Sequence, residues 1–473
     1  MKKILTILFV CLCMALCLIP SVGMLFCKEP VNVGNEIKTE KPAVMKDGAL
    51  NTAYLPEWGN YFEKNFALRA QAITADNRLM STLFGVSDTA GVAVGKDGWL
   101  YYTSTLDDYL GRHILAKAQM QGLVQNLEIL RDYVTKCGGD FLLCVAPNKN
   151  TLYPEHMAYY YLPNTAKPRN RDLLHEALQN SDITYCNLFE VFAAQQETLY
   201  LKTDSHWNNK GALLAYNAIL DTAGKPHEDF SAVEVTRTKD FCGDLSKMLY
   251  PAAQETQYNF NYPTAEMFTY ITDTKSTEEP LIKTQSRGAS ENLYMYRDSF
   301  GNALVPFFAT AYESAVFTKS FPMILENDVT GGSADTVIFE IAERNINWFL
   351  TMPPVVSAPE MAVYEVQAGS ACDTELQLRT SEYSPAYIEI FGNLEYDKRD
   401  GSPVYVRLES GSGQTRTFRC FNRLKKDGKN GFLAYLKSDL FEKGEAVKVS
   451  VLTEKENEFY QIDSKTCTFG GKQ

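Results

Sequence analysis

The chain has 473 residues, enough for two or three domains. Hydrophobic residues at 45% and charged ones at 22% make a globular composition able to bury a sizeable core. A formal net charge of −12 with no long Lys/Arg run argues against nucleic acid as the main partner, since phosphate binding needs a concentrated basic surface.

The N-terminus reads "MKKILTILFVCLCMALCLIPSVGMLFCKEP". Two lysines precede an uncharged, mostly apolar run from Ile4 to Phe26. As a helix this run spans roughly 34 Å, enough to cross a bilayer. The lysines would hold that end in the cytoplasm and send the rest outside. Residues 1–27 are therefore an uncleaved membrane anchor, or a secretory signal cut after Ser21-Val22-Gly23. The anchor is preferred because the apolar run continues past Gly23. Either way the chain is expected to be extracytoplasmic, anchored by a single helix or secreted. Residues 28–54 are polar and rich in Lys and Glu, a tether between membrane and domain.

Residues 55–354 form the expected catalytic domain. "PEWGNYFEKNFALRAQAITADNRLMSTLFG" carries apolar residues at helical spacing, and "VAVGKDGWLYY" is a hairpin signal. From 107 to 352 helices and short apolar strands alternate. "LAKAQMQGLVQNLEILRDYVTKCG", "RDLLHEALQNS", "NKGALLAYNAILDTA" and "FGNALVPFFATAY" read as helices. "DFLLCVAPNKN", "DITYCNL", "ENLYMYRDS" and "DTVIFEIAERN" read as strands. This alternation predicts an α/β fold, a flavodoxin-like parallel sheet with flanking helices. Ligands of such sheets bind at the carboxyl ends of the strands, which makes the loops 146–153, 203–207, 297–301 and 340–345 the expected site rim. After "MPPVVSAP" the pattern changes to short strands separated by turns. Residues 355–473 are expected to form an all-β sandwich, a candidate carbohydrate-binding module. The seven cysteines beyond residue 27 are odd in number and lack C-x-x-C spacing, which disfavours a structural zinc site and leaves disulfide pairing open.

The chemistry centres on "TDSHW", residues 203–207. An imidazole is a useful general base when a carboxylate holds one ring N–H and the other nitrogen faces a nucleophile. Asp204 and His206 lie two apart, just before a helix for which Asn208 is a plausible N-cap. Taken alone, D-x-H also describes a helix-start turn. The matching nucleophile is Ser299 in "ENLYMYRDSFGNALVPFFA", where a strand ends and a helix begins. A helix N-terminus there would offer N–H groups to a developing oxyanion, and the Ser299 N–H and a neighbouring one are the first candidates. Gly301 permits a sharp turn, and Asp298 reads as a turn or cap residue. The plainer reading of Ser299 is a helix N-cap.

"TDSHW" followed by "RDSFGNAL", together with "VGKDGWLYY", "VAPNKNTLYPE" and "VIFEIAERN", resembles the SGNH-hydrolase-like proteins of the alginate O-acetyltransferase type, whose Gram-positive relatives carry a D-H-H-W signature. The resemblance covers roughly residues 55–350. It implies Asp204, His206 and Ser299 as a catalytic triad in the permuted order of that family. This chain departs from the signature with Ser205 between the acid and the histidine. It further implies an O-acetyltransferase that moves an acetyl group through a serine acetyl-enzyme onto hydroxyls of a surface polysaccharide, with a polytopic membrane acyltransferase as acetyl donor. No metal or other cofactor is expected. A carbohydrate acetyl esterase with the same triad is the alternative, and a non-catalytic surface adaptor a further one. Four residues are candidate substrate contacts, each with a structural alternative. Asn148 and Lys149 otherwise form a solvated loop. Arg344 otherwise pairs with Glu340 or Glu343. Trp207 otherwise buries beside the histidine.

Overall fold

The computed structural model describes residues 2–24, 26, 39–46, 48–163, 167–253, 255–329, 333–394 and 401–469. Residues 28–38 and 47 of the expected tether lie outside them. The apolar N-terminus is one helix, Lys2–Gly23, and from Lys3 onward it is long and apolar enough to cross a membrane. That property of length and composition fits an anchor and a signal sequence equally.

The next helical stretch divides in two, Tyr54–Asn65 and Arg69–Phe84. Between them Phe66 is extended and Leu68 takes a left-handed φ of 65°, so one helix cannot run through. The short hairpin follows as expected, with Val92–Val94 antiparallel to Leu100–Tyr102.

The central sheet has seven strands. Their spatial order is Tyr185–Cys186, Asp140–Ala146, Thr336–Ala342, Asn292–Tyr296, Ser314–Thr318, Leu281–Ser286 and Phe268–Tyr270. The first five run parallel, as the alternation of helix and strand predicts. Leu281–Ser286 pairs antiparallel with both of its neighbours, so the sheet is mixed. Leu281–Ser286 alternates exposed and buried residues. That is the mark of an edge-side antiparallel strand with one wet face. In contrast, every residue of the central strand Thr336–Ala342 is buried.

Alternate residues of the strands feed two cores. Phe141, Leu143, Val145, Phe339 and Ile341 pack under the helix Lys117–Lys136. Leu142, Cys144, Ala146 and Ile338 pack on the other face against Trp207, Phe300 and the helix Asn209–Ala223. Burying each large apolar side chain contributes about 1.5–3 kcal/mol.

The C-terminal strands form a six-stranded and a four-stranded sheet. Ile388, Ile390, Phe432, Ala434 and Leu436 of the smaller sheet face the larger one across a shared core. Its opposite face presents Tyr387, Phe421, Leu433 and Tyr435 to the core under Lys117–Lys136. Both faces are thus covered, which explains the nearly unbroken burial of Asn430–Lys437. Asn126, fully buried on that helix, seals the contact. Its amide donates to the carbonyls of Phe349 and Asn422 at 2.7 and 2.8 Å, and its Oδ1 accepts from the Asn422 N–H at 2.8 Å.

Candidate active site

Three strands of the central sheet end at the same edge, and their loops carry the site. Asn292–Tyr296 runs into Arg297-Asp298-Ser299. The buried Arg297 ties this turn down, donating to Asn302 Oδ1 at 2.5 Å and to the carbonyls of Thr277 and Glu279 at 3.1 and 2.8 Å. Asp298 is the turn residue expected. Its Oδ1 accepts from the Phe300 N–H at 2.9 Å, and its Oδ2 accepts from Ala342 N and Asn345 Nδ2 at 2.7 and 2.8 Å. Gly301 is required here, since a Cβ would sit 2.6 Å from the Arg297 Cβ and 2.9 Å from Glu340 Oε2. Burial holds Glu340 well above the usual carboxylate range, and the Asp298 charge adds to this.

Two expectations about this turn change. The chain after Ser299 first makes a 3-10 turn, Phe300–Ala303, and becomes α-helical only at Val305–Ala311. Among the backbone donors, the Phe300 N–H is committed to Asp298, so it cannot serve an oxyanion.

The loop 203–207 meets the turn. His206 Nε2 lies 2.8 Å from Ser299 Oγ, and His206 Nδ1 lies 2.8 Å from Asp204 Oδ1. Asp204 Oδ1 also accepts from the His206 backbone N–H at 2.9 Å, and Oδ2 from the Asp244 N–H at 2.8 Å. With Nδ1–H aimed at a carboxylate, Nε2 is left as the acceptor for the serine proton. Burial alone would depress the imidazole, but the hydrogen bond and charge of Asp204 outweigh it and hold the ring above its ordinary 6.5. Asp204 resists burial in the opposite sense, and its bonds to His206 and Asp244 keep it well below the usual carboxylate range. The edge of the imidazole packs on the Phe300 ring, with centroids 4.8 Å apart.

Asp244, at the start of the helix Asp244–Leu249, is a member of this network that the sequence reading lacks. It accepts from Ser205 twice, from N at 2.8 Å and from Oγ at 2.5 Å, and its Oδ2 lies 3.8 Å from His206 Nδ1. Ser205, the departure from D-H-H-W, is thereby the residue that fastens the loop to Asp244. Asp204, His206 and Asp244 bring their ligand-type atoms within 4.8 Å of one another, as a metal site would. Those atoms are already engaged in the hydrogen bonds just given.

The four expected substrate contacts separate. Lys149 is buried and donates to the carbonyls of Leu201, Lys202 and Asp204 at 3.0, 3.1 and 2.5 Å. Burial draws its pKa down to about 7, while three carbonyl acceptors favour the three hydrogens of the ammonium form. Asn148 is buried too, with its N–H on Glu343 Oε2 at 2.9 Å and its amide on Asp108 at 3.2 Å. Trp207 is fully buried between Phe192 and Phe300, at centroid distances of 5.7 and 4.9 Å. None of these three offers a free surface to a sugar, and none is a solvated loop residue. Arg344 differs. It is half-buried, lies over the rings of Tyr102 and Phe300 at 5.6 and 5.7 Å, and lines a cleft with Ser299.

Ser299 opens onto two clefts. One, about 460 Å³, is lined by Tyr102, Lys319, Phe321, Arg344 and Trp348. The other, about 500 Å³, lies on the histidine side, with Asp244, Lys247, Asn302 and Tyr262. A hydroxyl reached from two sides has the geometry to meet a donor and an acceptor at one atom in turn.

Residues 92–288 match the family model "SGNH hydrolase-like domain, acetyltransferase AlgX", a span that includes Asp204 and His206 and stops before Ser299. Probable alginate O-acetylase AlgJ of Pseudomonas syringae pv. tomato is 32% identical over 171 residues, covering 34% of this chain and 41% of that protein. AlgJ of Pseudomonas putida is 25% identical over 174 residues, covering 34% and 42%. The chain thus spans well under half the length of these curated relatives. Among solved structures, Bacillus cereus PatB1 is similar at 17% identity and a TM-score of 0.43, covering 54% of this chain and 94% of that one. The O-acetyltransferase domain of Pseudomonas putida AlgJ is similar at 17% identity and a TM-score of 0.37, covering 54% and 92%. Through residues 92–288 the chain is therefore similar to the SGNH hydrolase-like acetyltransferase domains.

Proposed function

We propose that the chain is an extracytoplasmic O-acetyltransferase that carries acetyl on Ser299 and passes it to hydroxyls of a surface polysaccharide. The observation that supports this most is the unbroken relay from Asp204 through His206 to Ser299 Oγ at 2.8 Å per step, opening on two clefts. The likeness to proteins named alginate O-acetylase favours a polysaccharide acceptor.

In the first half-reaction Ser299 Oγ attacks the acetyl carbonyl carbon as its proton passes to His206 Nε2. The tetrahedral intermediate collapses, the bond to the leaving oxygen breaks, and His206 returns the proton to that oxygen. Asp204 keeps the ring in the productive tautomer and stabilises the imidazolium. In the second half an acceptor hydroxyl gives its proton to His206 and attacks the acetyl-serine, and Ser299 leaves with that proton restored. Arg344 and the Ser299 N–H are the groups proposed to face the developing oxyanion. A polytopic membrane acyltransferase supplies the acetyl group, the helix Lys2–Gly23 anchors the chain beside it, and the C-terminal sheets hold the glycan.

Incubating the full chain with a chromogenic acetyl ester and acceptor oligosaccharides tests this reading. Acetyl on the sugar, lost in Ser299→Ala, supports it. Free acetate alone, with acceptor present, would make the chain an esterase.

A further inference from the structure

The helix Arg69–Phe84 is amphipathic the wrong way round for a soluble protein. Its inward face holds Ala70, Thr74 and Asn77. Ile73 and Met80 beside that face are half-buried, and the hydrogen bonds that hold the helix down come from its polar residues. Asn77 Nδ2 donates to Thr89 Oγ1 at 2.7 Å and to the Leu249 carbonyl at 2.9 Å, and Thr74 Oγ1 accepts from the Ala252 N–H at 2.9 Å. At 100° per residue, Ala72, Ala75, Leu79 and Leu83 fall within an arc of about 80° on the opposite side, and Leu68 just precedes the first turn. All five are apolar and exposed, Leu79 at 56% and Leu83 at 64%, and the stripe carries no charge. Arg69, Asp76 and Arg78 sit only along its flanks. Phe84, 64% exposed, continues the apolar surface at the end of the helix. The Tyr160 hydroxyl, bonded to the Gly85 carbonyl at 3.0 Å, holds the exposed Tyr159 and Leu162 near that end.

The preceding helix, Tyr54–Asn65, behaves alike. It buries no residue, and Leu55, Trp58 and Phe62 share one face, with Leu55 75% exposed. A soluble surface carries single apolar residues, not whole helix faces.

The position of the apolar N-terminal helix says what covers these faces. The Pro20 carbonyl, near its end, accepts from the Ala67 N–H at 3.2 Å, at the junction between the two helices. A span that leaves the bilayer there sets both helices down at its surface. We propose that the helices Tyr54–Asn65 and Arg69–Phe84 lie in the lipid headgroup region, apolar faces toward the acyl chains, as an interfacial foot beside the anchor. Lipid suits a bare apolar stripe because it demands no complementary shape. The foot also fixes the height of the catalytic centre. Leu249, held by Asn77, ends the six-residue helix whose first residue is Asp244. The helix Asp244–Leu249, about 9 Å long, is the link between this layer and the loop that carries His206. The active site is kept where a membrane-borne acyl donor delivers its group. This rests on the reading of Lys2–Gly23 as an uncleaved anchor.

The full chain reconstituted in vesicles of phosphatidylethanolamine and phosphatidylglycerol tests the foot. A photoactivatable benzophenone residue replaces Leu68, Leu79, Leu83 or, as a control in a turn of the β sheets, the exposed Ser412. Flotation with the vesicles reports the anchor, and lipid adducts after illumination report the foot. The expected result is flotation of all forms, with about fivefold or more lipid adduct at 79 and 83 than at 412. In addition, L79E/L83E, which alters only exposed side chains, lowers the adduct formed at position 68 while hydrolysis of a soluble acetyl ester is unchanged. Flotation with equal adduct at all positions, or crosslinks from 79 to a second copy, overturns the foot and leaves the anchor standing. A chain that does not float overturns both.

Discussion

His206 Nε2 and Ser299 Oγ lie 2.8 Å apart although 93 positions separate the two residues in the chain. The approach requires both the Asp298-capped turn and the Lys149-tethered loop. A pair held this way acts as a unit, so Ser299→Ala and His206→Ala are each expected to lower acetyl-ester turnover by about 10³-fold or more, and the double variant little further. Steady-state rates of the three variants check this, with circular dichroism to show that the fold is kept.

In the proposed mechanism turnover requires the neutral imidazole. Since Asp204 holds the His206 pKa above 6.5, the acidic limb of kcat/KM is expected above pH 6.5, with activity falling as pH drops through it. In Asp204→Asn burial is no longer opposed by that charge, so the limb moves to lower pH while the plateau falls by about 10⁴-fold. Asp244 also raises the ring's pKa, from 3.8 Å. Asp244→Asn is therefore expected to shift the limb in the same direction by less, with a higher plateau than Asp204→Asn. pH–rate profiles of the three proteins decide it.

Lys149→Met leaves the carbonyls of Leu201, Lys202 and Asp204 without their shared donor. The Lys202 carbonyl keeps the Leu100 N–H at 3.1 Å, and each buried acceptor left unpaired costs about 1–3 kcal/mol. A lowered Tm together with reduced activity is expected. If Lys149 were a substrate contact instead, KM would rise and Tm would hold.

Arg344 contacts no carboxylate among the described ion pairs and faces the cleft, so Arg344→Ala is expected to cut kcat by roughly 10–10³-fold, the range of a lost oxyanion donor, with Tm nearly unchanged. Kinetics beside thermal unfolding separates that role from a structural one.

The four-stranded sheet shares its Tyr387, Phe421, Leu433 and Tyr435 with the core of the α/β domain. Calorimetry of the full chain is expected to show one cooperative transition for both units. Asn126→Leu, which strands the Asn422 N–H and two carbonyls, is expected to lower it by several degrees.

Much of the candidate site was legible because its chemistry is local. Asp204 and His206 sit in one five-residue loop, and Ser299 follows a strand whose apolar run is plain. The rest depended on groups that a sequence does not display. Lys149 is claimed by backbone carbonyls 52 to 55 residues away. Asp244 reaches Ser205 only because the hairpin Thr236–Cys242 with Thr256–Asn261 folds the intervening helix back on the loop. Thr236–Cys242 has no apolar alternation, in Thr256–Asn261 the alternating Tyr258 and Phe260 leave Asn259 as the buried residue, and Phe268–Tyr270 is only three residues long. Trp207 beside a histidine resembles a sugar platform in one dimension, whereas the aromatic cluster of Phe192, Tyr200 and Phe300 makes it core.

The most direct test of the account is to stop the reaction of the full chain with an acetyl donor by acid and map acetylated peptides by mass spectrometry. The account requires acetyl on Ser299, accumulating without acceptor and discharged when acceptor oligosaccharide is added. Unmodified Ser299, with acetyl still transferred by Ser299→Ala at the parent rate, would contradict it.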